Sequence, residues 1–491
     1  MAEVSRPPAP GTPSGSGAGA SPKPPDRAPF VDPEEIPHRP ESIRLFGTPA
    51  FFRLWIAQVL ASLGDWIGFV AITALAARVG GSSPETSVGL VLSARLIPGF
   101  FLAPVAGVLV DRWDRKRILV LCSAGRGVVL MFLPFVDTVL GLFAVSLALE
   151  VLALMWSPAK EATVPRIVPA HQLPTANSLS LVAAYGTFPL GSLVFALLAK
   201  ANEWLVGVGL PDSERLNQEN VAFAVYAILC ITAAGIISST HLPHEAPRTE
   251  PLPRLSFIHA FRELADGWRF IGSSPLVRSV MLGLATGLIG GGMLVPLGPV
   301  FSTRVLGAGS AGFGLLLTGM GFGTAAGVVL ISILQRRLPH ERVFVLAVFG
   351  AGAAILLGAS MATLAPAVLF VSVLGLCAGT VYVLGFSIIQ SDVDDDLRGR
   401  IFATLYTAVR FCLLLAFAAA PAISYILDGA ANALFDNRLT LGGVTVALPG
   451  VRLTLWLGGA IIIAAGLLAT LSMRRVLFGH ADDASTSAAG S

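Results

Sequence analysis

The chain has 491 residues, 54% of them hydrophobic and only 13% charged, against about 25% charged in an ordinary soluble domain, so a water-exposed globular surface is excluded. A net charge of +3 spread along the chain leaves no basic patch of the kind that holds nucleic acid. Cys122, Cys230, Cys377 and Cys412 each fall inside an apolar block and share no CxxC spacing, which argues for packing roles over a zinc site or a disulfide framework.

The first 50 residues are rich in Pro, Gly, Ser and Ala and lack an apolar core of signal-peptide type, so a disordered cytoplasmic tail is expected over 1–50. Twelve apolar blocks follow, at approximately 54–79, 87–110, 117–136, 138–157, 174–199, 221–241, 277–302, 310–334, 343–363, 365–389, 401–426 and 453–473. Each has the ~20 residues that a helix needs to cross a ~30 Å hydrocarbon core. Their unbroken apolar character argues against a transmembrane β-barrel, whereas helices satisfy their own backbone groups in lipid.

Block one contains Gly64-Asp65, and block two carries small residues at Gly99, Ala103 and Gly107. The same i, i+4, i+8 stripe recurs 220 residues later in block eight, at Gly319, Gly323 and Gly327. Such stripes let helix backbones approach closely, and the recurrence points to a duplication. Block five holds Gly186-x-x-Pro189-x-Gly191, and Gly290-Gly291-Gly292 in block seven is either a flexible point or a place of close packing. The longest hydrophilic connection, 242–276, divides the blocks six and six. Its stretch from Ser256 to Ile271, with Arg254, Arg262 and Arg269, suits a helix lying on the membrane surface. The expected units are therefore a bundle over 51–241, the linker 242–276, a second bundle over 277–474 and a disordered tail over 475–491. With residue 1 in the cytoplasm, most of the 33 Lys and Arg residues fall on the cytoplasmic side, the positive-inside pattern with both termini cytoplasmic.

After block two the chain reads Gly107-Val-Leu-Val-Asp111-Arg112-Trp113-Asp114-Arg115-Lys116-Arg117. This resembles the signature loop of the major facilitator superfamily, Gly-x-x-x-Asp-Arg-x-x-Arg-Lys, with Asp114 where a glycine is usual and Ile331 where the second-half copy would place its acid. The stretch from Trp156 to Arg166 (with Lys160-Glu161 and Pro165), Ala176-Asn177-Ser178 and Leu397-Arg398-Gly399-Arg400 resemble the drug:H+ antiporter branch that includes macrolide, siderophore and lysophospholipid exporters. The resemblance implies an all-α membrane protein of twelve transmembrane helices in two pseudo-symmetric six-helix bundles. It also implies a gating latch formed by Gly107, Asp111, Arg112 and Arg115 with Arg398 and Arg400 as partners, and a shortened antiporter motif at Gly186, Pro189 and Gly191.

Five strongly ionisable side chains lie well inside the blocks: Asp65, Arg95, Arg126, Glu150 and Arg410. Charge at that depth is unfavourable by several kcal/mol, which makes each a functional candidate. Counting ~1.5 Å per residue puts Asp65, Arg95, Arg126 and Glu150 in one layer of the first half, either as a buried structural network or as proton-coupling groups. Desolvation favours a neutral carboxyl and a nearby arginine favours an ionised one, so a moving arginine can drive proton release. Superfamily helices one and four line the central cavity, which singles out Asp65 and Glu150, with Arg95 as the expected partner of Asp65 and Arg126 as structural. The second half offers Met293, Phe301, Tyr382, Phe386 and Gln390 for a largely apolar cavity.

The expected function is export of a small amphipathic compound by proton antiport with alternating access. Protons would be the coupling ion, membrane lipid would surround a monomer, and no cofactor, metal or nucleic acid is required. The alternatives are transport of lysophospholipid or another lipid, and a non-transporting membrane scaffold or sensor. No Walker sequence, Ser-His-Asp grouping or glycine-rich cofactor loop points to an enzyme. Four lysines against 29 arginines, with abundant Ala, Gly and Pro, suggest a high-GC bacterium and its cell membrane.

Overall fold

The structure, a computed structural model, describes residues 46–102, 106, 109–110, 112–208, 217–242, 275–334, 338–392, 395–435, 438–441 and 444–488. Its first half consists of α1 (Pro49–Val79), α2 (Pro84–Phe101), α3 (Arg115–Met131), α4 (Val139–Ile167), α5 (Leu173–Tyr185), α6 (Phe188–Gly207) and α7 (Gln218–Ser239). The second half consists of α8 (Pro275–Gly292), α9 (Leu294–Val300), α10 (Gly309–Leu334), α11 (His340–Ser360), α12 (Leu364–Asp392), α13 (Asp395–Phe435) and α14 (Gly450–Ala488). The one sheet among the described residues is an antiparallel hairpin, β1 (Arg438–Leu441) and β2 (Val444–Ala447), in register Arg438 to Ala447.

Helix starts follow local chemistry. Thr48 caps α1 by accepting from the Phe51 N–H at 3.2 Å, and donates to the Ile167 carbonyl at 2.7 Å, which ties α1 to the end of α4. Thr138 and Asn217 cap α4 and α7 in the same way. Asp114, the residue that stands where the family loop usually has glycine, caps α3 by accepting from the Arg117 N–H at 3.0 Å.

Eleven stretches among the described residues are long and apolar enough to cross a membrane, and α2, at 18 residues, follows the first of them in the chain and packs on α4, α13 and α1. The departures from the expected blocks have local causes. Block five is split at Gly186-Thr187, where Pro189 enters the first turn of α6, a position at which its missing N–H is harmless. Block seven is interrupted at Met293 and ends in a π-helical turn, Phe301–Val305. Block four runs ten residues past its apolar window, to Ile167, through Pro158 and Pro165, because the polar side chains there face a cavity instead of lipid. Helix α14 continues through residues 475–488, where a tail was expected. The linker's surface helix and residues 1–45 of the N-terminal tail lie outside the described residues.

Helix pairing repeats between the halves. In the first, α1 packs on α7, α2 on α4, and α3 on both α4 and α7. In the second, α8 packs on α14, α10 on α12, and α11 on both α12 and α14. The halves meet through two equivalent pairs, α6 with α10 and α13 with α2. The duplicated glycine stripe is used unequally. Gly323 and Gly327 of α10 lie against the backbone of α12 at Ser372 and Leu376, and Gly375 and Gly379 reciprocate against Met320 and Thr324. Gly99 instead faces the guanidinium of Arg410 from the other half, while Ala103 and Gly107 lie outside the described residues.

Candidate functional site: a buried charge cluster on a central cavity

Asp65 projects from α1 between Gly64 and Gly68, and these two glycines form a slot for the ring of Tyr226 on α7. A Cβ at either would meet that ring, whose hydroxyl donates to Asp65 Oδ1. Arg126 of α3, 2% exposed, donates from Nη1 to both Asp65 carboxylate oxygens at 2.9 Å. The guanidinium carbon also lies 5.9 Å from the centre of the Trp156 ring, within cation–π range. The expected partnership of Asp65 with Arg95 is thus replaced by one with Arg126. Arg95 Nε instead stands 3.8 Å from Glu150 Oε2, with its guanidinium 5.4 Å from the Phe69 ring centre. Arg410 of α13 donates to the Gly99 carbonyl at 3.3 Å and lies within electrostatic range of Glu150, so the cluster touches both halves.

Asp65 and Arg126 form one edge of a cavity of about 610 Å3 walled by α1, α4 and α5. Gln58, Trp156, Lys160, Ser180 and Tyr185 also line it. Gln58 is held by donating to the Ser180 carbonyl at 2.9 Å, and Trp66 anchors α1 to α5 through the Ala184 carbonyl at 2.9 Å. Sequence reasoning missed Tyr226, Trp156, Lys160 and Tyr185 as cavity or cluster residues. The one signal for Tyr226 was the pair of glycines four residues apart around Asp65, the pattern of a helix face that accepts a flat ring.

The second-half candidates divide. Met293 and Phe301, each 1% exposed, belong to the core and line no described cavity. Tyr382 and Phe386 of α12 join Phe402 and Tyr406 of α13 in a stacked group with ring centres 4.4 to 6.4 Å apart. Tyr382 and Tyr406 are half exposed. The side chain of Gln390 lies outside the described residues.

Of the expected latch, Gly107, Asp111 and the side chains of Arg398 and Arg400 lie outside the described residues. Arg112 is exposed, and Arg115 Nη1 donates to the Ala162 carbonyl at 3.0 Å, a contact with α4 inside the first half. Gly186, Pro189 and Gly191 sit where α6 turns into the bundle. Gly191 packs against Leu63 and Trp66 of α1, and Pro189 against Gly321 of α10.

At the end of the bundle that carries the α1–α2 turn, the halves are in contact. Gln218 Nε2 donates to Ser310 Oγ at 2.9 Å and to Glu219 Oε1 at 3.1 Å, Asn202 donates to Gln218 Oε1 at 3.0 Å, and Arg304 stands 3.7 Å from Glu85.

The family model of the Major Facilitator Superfamily matches residues 54–421. The MFS-type transporter YfiS of Bacillus subtilis is 22% identical over 86% of this chain and 92% of its own length. The multidrug efflux pump Tap of Mycobacterium tuberculosis is 25% identical over 82% of this chain and 94% of its own. Among solved structures, a bacterial homolog of the human lysosomal transporter Spinster, inward-facing and unoccupied, superposes with a TM-score of 0.67 at 17% identity, covering 88% of this chain and 98% of that one. The nucleoside transporter NupG superposes at 0.62 with 12% identity, over 87% and 99%. The repeated helix pairing and these matches agree, and the chain belongs to the major facilitator superfamily of membrane transporters.

Proposed function

We propose that this transporter exports a small amphipathic compound from a bacterial cell by proton antiport, with two bundles, 51–241 and 277–474, rocking about the central cavity. The observation that carries the reading is the Asp65–Arg126–Tyr226 cluster at the cavity wall. A carboxylate 32% exposed to the cavity, yet held by a buried guanidinium, can exchange a proton with cavity water when helix movement loosens its partner. The aromatic side chains of Tyr185, Tyr382 and Phe386 suit an apolar cargo, and the likeness to the efflux pump Tap supports outward drug movement. The positive-inside charge pattern supports a reading in which the contacted end faces outside and the cavity opens to the cytoplasm.

The test is uptake of fluorescent amphipathic compounds into inverted membrane vesicles energised by a proton gradient. Wild-type uptake is expected to collapse with an uncoupler and in Asp65→Asn. Gradient-driven uptake that survives Asp65→Asn removes Asp65 as the proton carrier, and no gradient-dependent uptake of any compound favours the lipid or scaffold reading.

A further inference from the structure

Lys160 is one of four lysines in the chain. It sits on α4 at the cavity wall, 9% exposed. Among the described residues its ammonium has no hydrogen-bond acceptor and no ion-pair partner within range; Glu161, the next residue, acts on it only through space. Lysines near helix ends in membrane proteins usually extend to the headgroups and keep the charge wet. Lys160 is buried instead, in a wall where the neighbouring Trp156 Nε1 also lacks an acceptor.

A largely buried lysine whose ammonium meets only a cavity and no counter-charge is in an unfavourable state, and the described residues supply none. Asp65, the acid deepest in the cavity wall, is already engaged by Arg126 and Tyr226. Glu161 is exposed and stands too far from Lys160 for an ion pair. The missing partner is then a ligand. Besides Lys160 the cavity is lined by the small polar Ser157 and Asn177 and by Val164, Leu181 and Tyr185. That lining, an unpaired cation together with apolar wall, matches a molecule with one acidic group and a hydrophobic body.

Resting on the transporter reading, we propose that the cavity selects acidic amphipaths and that Lys160 is the specificity residue that receives their carboxylate or phosphate-type group. Either acid has the same chemistry at the ammonium, a charge-assisted hydrogen bond to an anionic oxygen.

The experiment uses the purified full-length protein in nonionic detergent, with pyrene butyric acid, pyrene butanol and pyrene methylamine as probes and energy transfer from tryptophan as the signal. The acid is expected to bind most tightly. Lys160→Met should weaken it about tenfold or more while leaving the alcohol unchanged, and Lys160→Arg should keep most of the affinity. Decyl phosphate and inorganic phosphate then separate the sources of the anion: displacement by the former alone means that the apolar body is needed, and displacement by both means a simple anion site at Lys160. The proposal is overturned if acid and alcohol bind equally, if the amine binds best, or if Lys160→Met, with an unchanged thermal midpoint, binds the acid as wild type does. Gradient-driven uptake of the amine but not the acid into inverted vesicles would leave the transport reading standing while removing this inference.

Discussion

Arg126 grips Asp65 with a single nitrogen. Nη1 reaches both carboxylate oxygens at 2.9 Å, whereas Nε and Nη2 have no hydrogen-bond acceptor among the described residues. A guanidinium that used its fork would form two parallel bonds, so this pair holds less than its chemistry allows, which is a favourable state for a link that has to open. Removing the acid alone leaves the guanidinium buried and uncompensated. Asp65→Ala is therefore expected to destabilise the protein by ~3–5 kcal/mol, and Asp65→Asn combined with Arg126→Met by much less. Thermal unfolding in detergent checks this, and additive losses in the double variant would show that the two charges are not coupled.

The slot for Tyr226 yields a sharper test. Tyr226→Phe removes one hydrogen bond to Asp65 and should lower stability by about 1 kcal/mol. Gly64→Ala and Gly68→Ala would place a Cβ within 2.9 Å and 2.6 Å of ring carbons, which forces the ring and its hydroxyl away from Asp65. Each alanine variant is expected to lose more stability than Tyr226→Phe despite the gain in helix propensity. Equal or greater stability in the alanine variants would mean that the ring is not clamped.

The fold was legible because lipid imposes it: every spanning segment has to be long, apolar and helical, and the loop at Gly107–Arg117 carries the family's spacing. The depths of Asp65, Arg95, Arg126 and Glu150 could also be counted along the helices. Their pairing could not, because one residue turns a helix by 100° and rotation about the axis decides whether Asp65 meets Arg95 or Arg126. The break at Met293 was equally hidden. The glycines before it are explained by packing, since Gly290 lies against the backbone of Gly458 on α14 and Gly292 is 3.1 Å from Ala416 if given a Cβ. Lys160 was read only as part of the exporter-like stretch from Trp156 to Arg166; its place in the cavity wall depends on the tertiary structure that turns this helix end inward.

The α10–α12 pair is predicted to be the least tolerant helix contact in the second half. A Cβ at Gly323 would overlap the backbone of α12 at Ser372, whereas Gly287 on α8 has open space around its Cα. Gly323→Ala should lower the thermal midpoint, since close backbone approach is lost. Gly287→Ala should be neutral or raise it by up to ~1 kcal/mol in stability, as alanine favours helix over glycine. Identical midpoints for the two variants would rule out backbone contact as the source of the pairing.

The polar contacts at the closed end set how often that end opens. Gln218 joins Asn202 of the first half to Ser310 of the second, and Glu85–Arg304 adds an ion pair whose arginine is 57% exposed. A neutral hydrogen bond is worth ~1 kcal/mol and an exposed ion pair no more than that. Losing both, in Gln218→Ala with Arg304→Ala, should shift the equilibrium by about 2 kcal/mol, roughly 30-fold toward the state open at this end. Spin labels at Lys200 on α6 and Ser360 at the end of α11 report it by pulsed distance measurement. A longer distance is expected to grow in the double variant and to be smaller in each single variant. If the distribution is unchanged, the glycine-lined packing of α6 on α10, where Gly314 lies on Ala196, holds this end shut without help from the polar groups.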